Sequence, residues 1–255
     1  MNGFSAAIFD MDGVVTNTAA VHSRAWKRMF DEFLLRRERA GGDRFREFTP
    51  DSDYRVHVDG KPRYDGVQSF LASRGIRLPF GRPQDAPNAE TVCGLGNRKN
   101  ELFNEIIVAE GVCVYPSTLE LIQSLRASGV RIGLATSSRN AATVLEASGA
   151  RAVFEVIIDG VVSDRLGHRG KPEPDIFLAA CAMLGAEPAC TIIVEDAAPG
   201  VLAGARGGFG LIVGVARHGN ADELRANGAD VVVGDLAELT LENIDRKVRL
   251  KAARP

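Results

Sequence analysis

The sequence predicts an α/β protein with a doubly wound, Rossmann-like parallel sheet as its core and an inserted helical cap domain. Short apolar segments ending in polar or glycine-containing turns alternate with segments of helical periodicity, as expected when helices cover both faces of a parallel sheet. The alternation stops between about residues 17 and 114, where helical segments and proline-rich connections prevail. We therefore assign residues 1–16 and 115–255 to the core and residues 17–114 to the cap.

Composition narrows the class of protein. The 255 residues are enough for a core and a smaller domain, and the 45% hydrophobic content is that of a globular protein. A formal net charge of −2 argues against nucleic acid or an anionic membrane as a partner. The four cysteines form no CxxC pair, which indicates reduced thiols. With no signal peptide or membrane segment expected, we predict a cytoplasmic monomer that acts on a small molecule.

The first elements lead into the cap. Residues 5–9 form a predicted buried strand that ends at Asp10. Apolar residues then recur at helical spacing over residues 18–35, and Trp26 is assigned to the core of this helix face. The Arg-, Gly-, Asp- and Pro-rich residues 36–64 predict a long irregular connection. Two short helices and a proline-containing loop between them complete the region: residues 65–73, 97–109 and 78–90.

Strands and helices alternate after Tyr115. Ser117 or Thr118 is expected to cap a helix that ends before Gly129. The charged residues 245–255 are expected to fray. The remaining predicted strands are residues 130–135, 153–158, 191–194, 211–215 and 230–233, and the remaining predicted helices are residues 139–147, 174–184, 199–206 and 222–227.

Two carboxylates follow the first strand, at the sheet edge where open α/β sheets bind ligands. Asp10 and Asp12 can point into one crevice and provide the oxygen ligands that a hard cation prefers. One carboxylate can attack phosphorus covalently while the other transfers a proton. The alternative is an ordinary turn, because Asp and Gly are common in loops.

Three further loops carry polar groups. Thr136 precedes two serines and could bind phosphate at a helix N-terminus, or simply cap the helix. Lys171, in a loop with two prolines, could neutralise a phosphoryl group, or lie solvated at the surface. Glu195 and Asp196 would be costly to bury without a cation, although they could cap the next helix. Together with Asp10, these residues favour an active site over four unrelated structural roles.

In this order, the four motifs resemble those of the haloacid dehalogenase-like superfamily. The resemblance implies that Asp10 is the nucleophile of an aspartyl-phosphate intermediate and Asp12 the general acid/base. It also implies that Thr136 and Lys171 hold the transferring phosphoryl group. The implied cofactor is Mg²⁺, with these ligands: Asp10, the Asp12 carbonyl and Asp196, with Glu195 as an additional or water-mediated ligand.

Cap residues resemble the β-phosphoglucomutase-like group of that superfamily. Residues 12–27 look like the group's first motif, which implies that His22 assists the acid/base; the alternative is an ordinary helical histidine. Residues 60–67, with Gly60 and Arg63, resemble the loop that binds the non-reacting phosphate of the substrate. Residues 134–140 resemble the core segment that shares this phosphate, and residues 98–100 resemble a third element. The implied substrate-binding residues are Gly60, Arg63, Lys99, Ser138, Arg139 and Asn140.

Three functions follow from these motifs. The first is a mutase that converts β-glucose 1-phosphate into glucose 6-phosphate through a bisphosphate. The second is a sugar-phosphate phosphatase, which the same core becomes if water reaches the phosphoenzyme. The third is a non-catalytic sugar-phosphate-binding protein. Thr136 and Arg139 replace the more usual serine and lysine, and both replacements are chemically conservative. Residues 36–59 are longer than the group leads us to expect, which leaves the sugar open.

Overall fold

The computed structural model describes residues 3–58, 61–217 and 219–253. The chain divides into two compact units, one formed by Met1–Thr18 with Val112–Pro255 and the other by Ala19–Gly111. Within the described ranges, no helix combines the length and apolarity needed to cross a membrane.

The unit Ala19–Gly111 is helical. Its long helices α1 and α3 pack against each other, and aromatic rings fill its interior, with the Phe30 and Phe70 ring centroids 4.0 Å apart. Trp26 is buried and stacks on Phe30, as expected for a core residue. The helices are α1 (Ala19–Arg39), α2 (Arg63–Ser73) and α3 (Val92–Glu110), and Pro50–Val58 forms a π-helical segment.

The other unit contains one parallel sheet of six strands in the order β3-β2-β1-β4-β5-β6. All residues of β1 and β4 are buried, because both faces of the sheet are covered by helices. This architecture confirms the predicted fold class. The strands are β1 (Ala6–Phe9), β2 (Arg131–Ala135), β3 (Val156–Ile158), β4 (Thr191–Glu195), β5 (Leu211–Val215) and β6 (Val231–Val233).

Seven α-helices accompany this sheet in the described part of the unit. They are α4 (Pro116–Ala127), α5 (Ala141–Ala147), α6 (Gly160–Arg165), α7 (Asp175–Met183), α8 (Ala198–Arg206), α9 (Ala221–Ala226) and α10 (Leu241–Ala252). The register of the parallel strands aligns their carboxyl ends: Phe9 of β1 pairs with Leu134 of β2 on one side and with Val194 of β4 on the other. The strands therefore end side by side, and the residues after them lie at one edge of the sheet.

Several local predictions were wrong. Helix α1 continues to Arg39 and a π-helical segment follows at Pro50–Val58, so residues 36–64 are not irregular throughout. Helix α3 begins at Val92, where the Thr91 hydroxyl accepts a hydrogen bond from Gly94 N at 2.9 Å. Residues 153–158 are only partly a strand, because Arg151–Val153 form a 3₁₀ turn.

The prediction of the N-cap residue of α4 was also wrong. The N-cap is Tyr115, with Pro116 as the first helical residue, a position where the missing N–H of proline costs nothing. The Thr118 hydroxyl instead donates to Val14 O at 2.7 Å and is fully buried. It therefore ties the segment after β1 to α4.

The charged C-terminal segment does not fray as predicted, because residues up to Ala252 form α10. The Thr240 hydroxyl accepts from Asn243 N, and the Asn243 side chain accepts from Thr240 N, which satisfies donors at the helix start. Ile244 and Val248 are buried on one face. Two apolar residues one turn apart are enough to dock a helix whose other residues are mostly charged.

Candidate active site

A buried ion-pair network lies at the carboxyl ends of β1 and β4. Lys171 Nζ donates to Asp10 Oδ1 at 2.5 Å and also contacts Glu195 Oε1. The side chains of Lys171 and Asp10 are each 10% exposed and that of Glu195 is 1% exposed. The alternative of a solvated surface lysine is therefore wrong: one ammonium group bridges two carboxylates from different strands.

Glu195 has few free acceptor positions. Its Oε2 accepts hydrogen bonds from Asp196 N at 3.0 Å and Ala197 N at 3.1 Å, while Oε1 contacts Lys171. These bonds shape the turn between β4 and α8, which leaves the Asp196 carboxylate at the sheet edge. Glu195 thus positions both Lys171 and the neighbouring aspartate.

Negative charge exceeds positive charge at this edge. Burial, Glu195 and Asp12 raise the pKa of Asp10 to about 7, although Lys171 opposes the shift. Burial, together with Glu195 and Asp10, also holds the pKa of Asp196 well above its usual value. Burial alone would lower the pKa of Lys171, but the two carboxylates it contacts raise it, so this group stays charged. One cation therefore faces several carboxylates.

The residues present fit a divalent cation. Asp10, Glu195 and Asp196 each offer a carboxylate oxygen, and these oxygens lie within 4.8 Å of one another. Oxygen ligands and excess negative charge are what Mg²⁺ or Ca²⁺ requires, and a cation would offset the cost of burying these carboxylates. Gly13 leaves space for this arrangement, since a Cβ atom built there would lie 1.8 Å from Asp196 Oδ2.

Asp12 lies in a tight turn after β1. Its Oδ1 accepts a short hydrogen bond from the hydroxyl of Thr18, a fully buried residue. Gly13 N donates to Thr16 O at 2.8 Å, and Gly13 has a φ of +81°. Thr18 was not among the predicted site residues. Its only sequence signal is a hydroxyl just before a helix, which usually indicates a cap.

The turn after β2 is stabilised by its own hydroxyl groups. The buried Thr136 Oγ1 accepts from Ser138 N at 3.1 Å, and Ser138 Oγ accepts from Asn140 N at 3.2 Å. Asn140 is the N-cap of α5 but makes no side-chain capping bond. Arg139 extends to the surface, where it pairs with Asp164 of α6. The structure therefore gathers Thr136, Ser138 and Asn140 into one turn beside Asp10.

In the helical unit, His22 pairs with the buried residue Lys99. His22 Nδ1 lies 2.6 Å from Lys99 Nζ, and its ring stacks on Phe103 at 4.2 Å. Lys99 Nζ also lies 5.2 Å from the Trp26 ring centroid. Burial, followed by the charges of Lys99 and Arg63, lowers the pKa of His22 well below its usual value. His22 is therefore neutral near pH 7, and its Nδ1 can accept a hydrogen bond from the lysine.

Arg63 is the first residue of α2, and its Nη2 donates to Asn100 Oδ1 of α3 at 2.7 Å. Asn100 was predicted only as part of the segment 98–100. The predicted substrate residue Gly60 lies outside the described residues. Within this unit the structure thus brings together His22 with Lys99, and Arg63 with Asn100.

Sequence reasoning missed two residues after β5. Arg217 Nε donates to Gly13 O at 2.9 Å, and Asn220 Nδ2 donates to Asp196 O at 2.9 Å. No motif indicated them, because an Arg and an Asn in a polar segment are common at any surface. Only the folded chain shows that both bond to the loops of the candidate site.

Comparison with known proteins supports the same family. A family model described as haloacid dehalogenase-like hydrolase matches residues 4–208. The chain is 44% identical over 237 residues to a protein of Mycobacterium tuberculosis (strain CDC 1551 / Oshkosh) named β-phosphoglucomutase, covering 92% of this chain and 90% of that protein. It is 33% identical over 238 residues to a β-phosphoglucomutase of Bacillus subtilis (strain 168), covering 93% and 92%.

A solved structure agrees with these relatives. The crystal structure of a β-phosphoglucomutase from Clostridium difficile superimposes with a TM-score of 0.73 at 25% identity, covering 98% of this chain and 100% of that one. The chain therefore belongs to the haloacid dehalogenase-like hydrolase family and, within it, to the β-phosphoglucomutase-like group.

Proposed function

We propose that this protein is a Mg²⁺-dependent phosphotransferase that acts on a sugar phosphate through an aspartyl-phosphate intermediate. Its best candidate reaction is the conversion of β-glucose 1-phosphate into glucose 6-phosphate. The observation that carries the proposal is the buried contact of Asp10 with Lys171, beside Glu195 and Asp196. The names of the 44% and 33% identical relatives support the choice of reaction.

In the proposed reaction, an Asp10 carboxylate oxygen attacks the phosphorus atom of a bisphosphate. A bond forms between Asp10 and phosphorus, the bond from phosphorus to the sugar oxygen breaks, and Asp12 supplies the proton to that oxygen. In the second half, Asp12 removes a proton from a hydroxyl of the monophosphate, which attacks the phosphoryl group and regenerates free Asp10. Each half transfers one phosphoryl group and one proton, so the atoms balance.

Lys171 and Thr136 are proposed to hold the transferring phosphoryl group. The Lys171 ammonium already contacts the nucleophile, so it can neutralise charge on the phosphoryl oxygens where they approach Asp10. A magnesium ion held by Asp10, the Asp12 carbonyl and Asp196, with Glu195 as a further or water-mediated ligand, would supply additional positive charge. Such charge would also lower the raised pKa values of Asp10 and Asp196, which keeps the nucleophile ionised near neutral pH.

A mutase must also bind the phosphate that does not react. We assign this role to Arg63 and Lys99 of the helical unit and to three residues of the turn after β2. Arg63 is suited to it because a planar guanidinium matches phosphate, and its contact with Asn100 holds it in place. His22 is assigned to assist the proton transfer of Asp12. The three turn residues are Ser138, Arg139 and Asn140. In this assignment Ala19–Gly111 is the cap and the sheet unit is the catalytic core.

A phosphatase is the alternative. The matching family model is named for hydrolases, and the same core would hydrolyse a phosphate ester if water reached the phosphoenzyme. A non-catalytic binding protein is disfavoured, because both aspartates, Lys171 and the acidic pair are all present and Lys171 contacts Asp10.

Product analysis distinguishes these functions. The enzyme is incubated with Mg²⁺, β-glucose 1-phosphate and a trace of β-glucose 1,6-bisphosphate, and glucose 6-phosphate and free phosphate are followed together. We expect glucose 6-phosphate in stoichiometric yield with little free phosphate. Free phosphate without isomerisation would establish the phosphatase instead. If neither glucose 6-phosphate nor free phosphate formed, β-glucose 1-phosphate would be excluded as the substrate. An Asp10→Asn variant purified in parallel is the control for contaminating activity.

A further inference from the structure

Two side chains that follow β5 hold backbone carbonyls of the candidate site, and neither belongs to the four motifs. Arg217 Nε donates to Gly13 O, and Asn220 Nδ2 donates to Asp196 O, each at 2.9 Å. Gly13 directly follows Asp12, and Asp196 is one of the three clustered carboxylates. One short stretch of chain thus bonds to both loops that carry the proposed cation ligands.

Arg217 follows β5, which is not a neighbour of β1. Because β4 lies between these two strands in the sheet, the Arg217 side chain reaches past the end of β4 to the turn after β1. Its Nη1 donates to Asp235 Oδ2 at 2.7 Å, and its Cζ lies 3.5 Å from the ring centroid of Tyr115. The side chain is only 9% exposed. A planar guanidinium fixed by these contacts is a rigid link between the segment after β5 and the turn after β1.

Each of the two residues also buries one polar atom whose hydrogen-bonding capacity the described residues do not meet. Arg217 Nη2 and Asn220 Oδ1 have no hydrogen-bond acceptor or donor among the described residues. Burying unpaired polar atoms destabilises a folded protein. The hydrogen bonds to Gly13 O and Asp196 O are the contacts through which Arg217 and Asn220 reach the candidate site.

We propose that Arg217 and Asn220 are positioning residues that fix the separation between the Asp12–Gly13 backbone and Asp196, and thereby the spacing of the cation ligands. The inference rests on the proposed cation site. The two loops are already in close contact, since a Cβ at Gly13 would lie 1.8 Å from Asp196 Oδ2. Ligand distances in metal sites vary by only about 0.2 Å, so a small shift of either loop, which carries the Asp12 carbonyl or the Asp196 carboxylate with it, weakens binding.

The test compares Arg217→Met and Asn220→Ala with wild type and with Arg225→Met. The last variant is the matched control, because Arg225 lies in the same unit and its ion pair with Asp222 is exposed. Direct Mg²⁺ binding is measured by calorimetry, alongside kcat and KM for the sugar phosphate. We expect the Mg²⁺ Kd to rise about tenfold or more in the two test variants, with kcat reduced and KM little changed. The control should stay within about twofold of wild type.

Amide hydrogen exchange of the metal-free enzyme supplies a readout that needs no cation. We expect faster exchange at residues 11–16 in Arg217→Met and at residues 195–198 in Asn220→Ala, but not in Arg225→Met. Unchanged exchange and unchanged Mg²⁺ affinity in both test variants would overturn the inference. If wild type binds no divalent cation, the proposed function fails and the exchange data alone decide the positioning role. Should Arg217→Met not fold, Arg217→Lys replaces it, since lysine keeps the charge but loses the planar fork.

Discussion

Replacing Gly13 by alanine should have two effects: it should strain the backbone, and it should displace Asp196, a proposed cation ligand. Gly13 has a φ of +81°, a conformation that costs an L-residue about 1–2 kcal/mol. In addition, the new Cβ would lie 1.8 Å from Asp196 Oδ2, and real Cβ atoms essentially never lie within 3.0 Å of an atom outside their own residue and its chain neighbours. The carboxylate oxygen would have to move by about 1.2 Å, the difference between these two distances. That exceeds the roughly 0.2 Å by which metal–ligand distances vary.

Gly129→Ala is the matched control. Gly129 belongs to the same unit and has a φ of +79°, but a Cβ atom at this position would meet no atom within 4 Å, so only the backbone strain applies there. In urea titrations of the metal-free protein, Gly129→Ala should lose about 1–2 kcal/mol of unfolding free energy, and Gly13→Ala at least as much, because the displacement of Asp196 adds to its backbone strain. Only Gly13→Ala should bind Mg²⁺ at least about tenfold more weakly by calorimetry, because only there is Asp196 displaced. Equal Mg²⁺ affinity in the two variants would refute the reasoning from the contact with Asp196.

Three further outcomes are expected. Asp10→Asn should reduce turnover at least about a thousandfold, because an amide neither attacks phosphorus nor binds a cation well. A rate near that of wild type in the product assay would contradict the covalent mechanism. Arg63→Ala should reduce mutase kcat/KM by about a hundredfold yet spare hydrolysis of a small aryl phosphate, whereas equal losses on both substrates would argue against recognition of the non-reacting phosphate. Burial alone would raise the pKa of Asp235, but hydrogen bonds from Ala237 N, Ser117 and Arg217 lower it to about 2. The resulting stabilisation is fully present above the unfolded pKa near 3.8 and is lost as pH falls through 2. After allowance for solvent screening, Asp235→Asn should therefore lose about 1 kcal/mol or less at pH 6 and less at pH 3, as urea unfolding would show; an equal loss at both pH values would exclude this linkage.

Local sequence patterns predicted the secondary structure correctly where an apolar run and the turn residues that follow it indicate the same element. The strand at residues 5–9 was predicted because an uninterrupted apolar run ends at Asp10, and β1 occupies Ala6–Phe9. The C-terminal helix was missed because its charges dominate the composition, while its docking depends on two residues, Ile244 and Val248. Whether two apolar side chains suffice depends on the surface they meet, which no local window contains.

The sequence by itself determined the fold class and the family and indicated the candidate reactive side chains, since alternating segments and four ordered motifs are local properties of the chain. Tertiary structure alone decided which polar groups meet. Lys171 contacts Asp10 across 161 positions of sequence, and Arg217 reaches Gly13 across 204. Such contacts arise because parallel strands bring their carboxyl ends to one edge, in an order that the sheet and not the chain sets. The raised pKa of Asp10 has the same origin, because it depends on burial and on charges contributed by other strands.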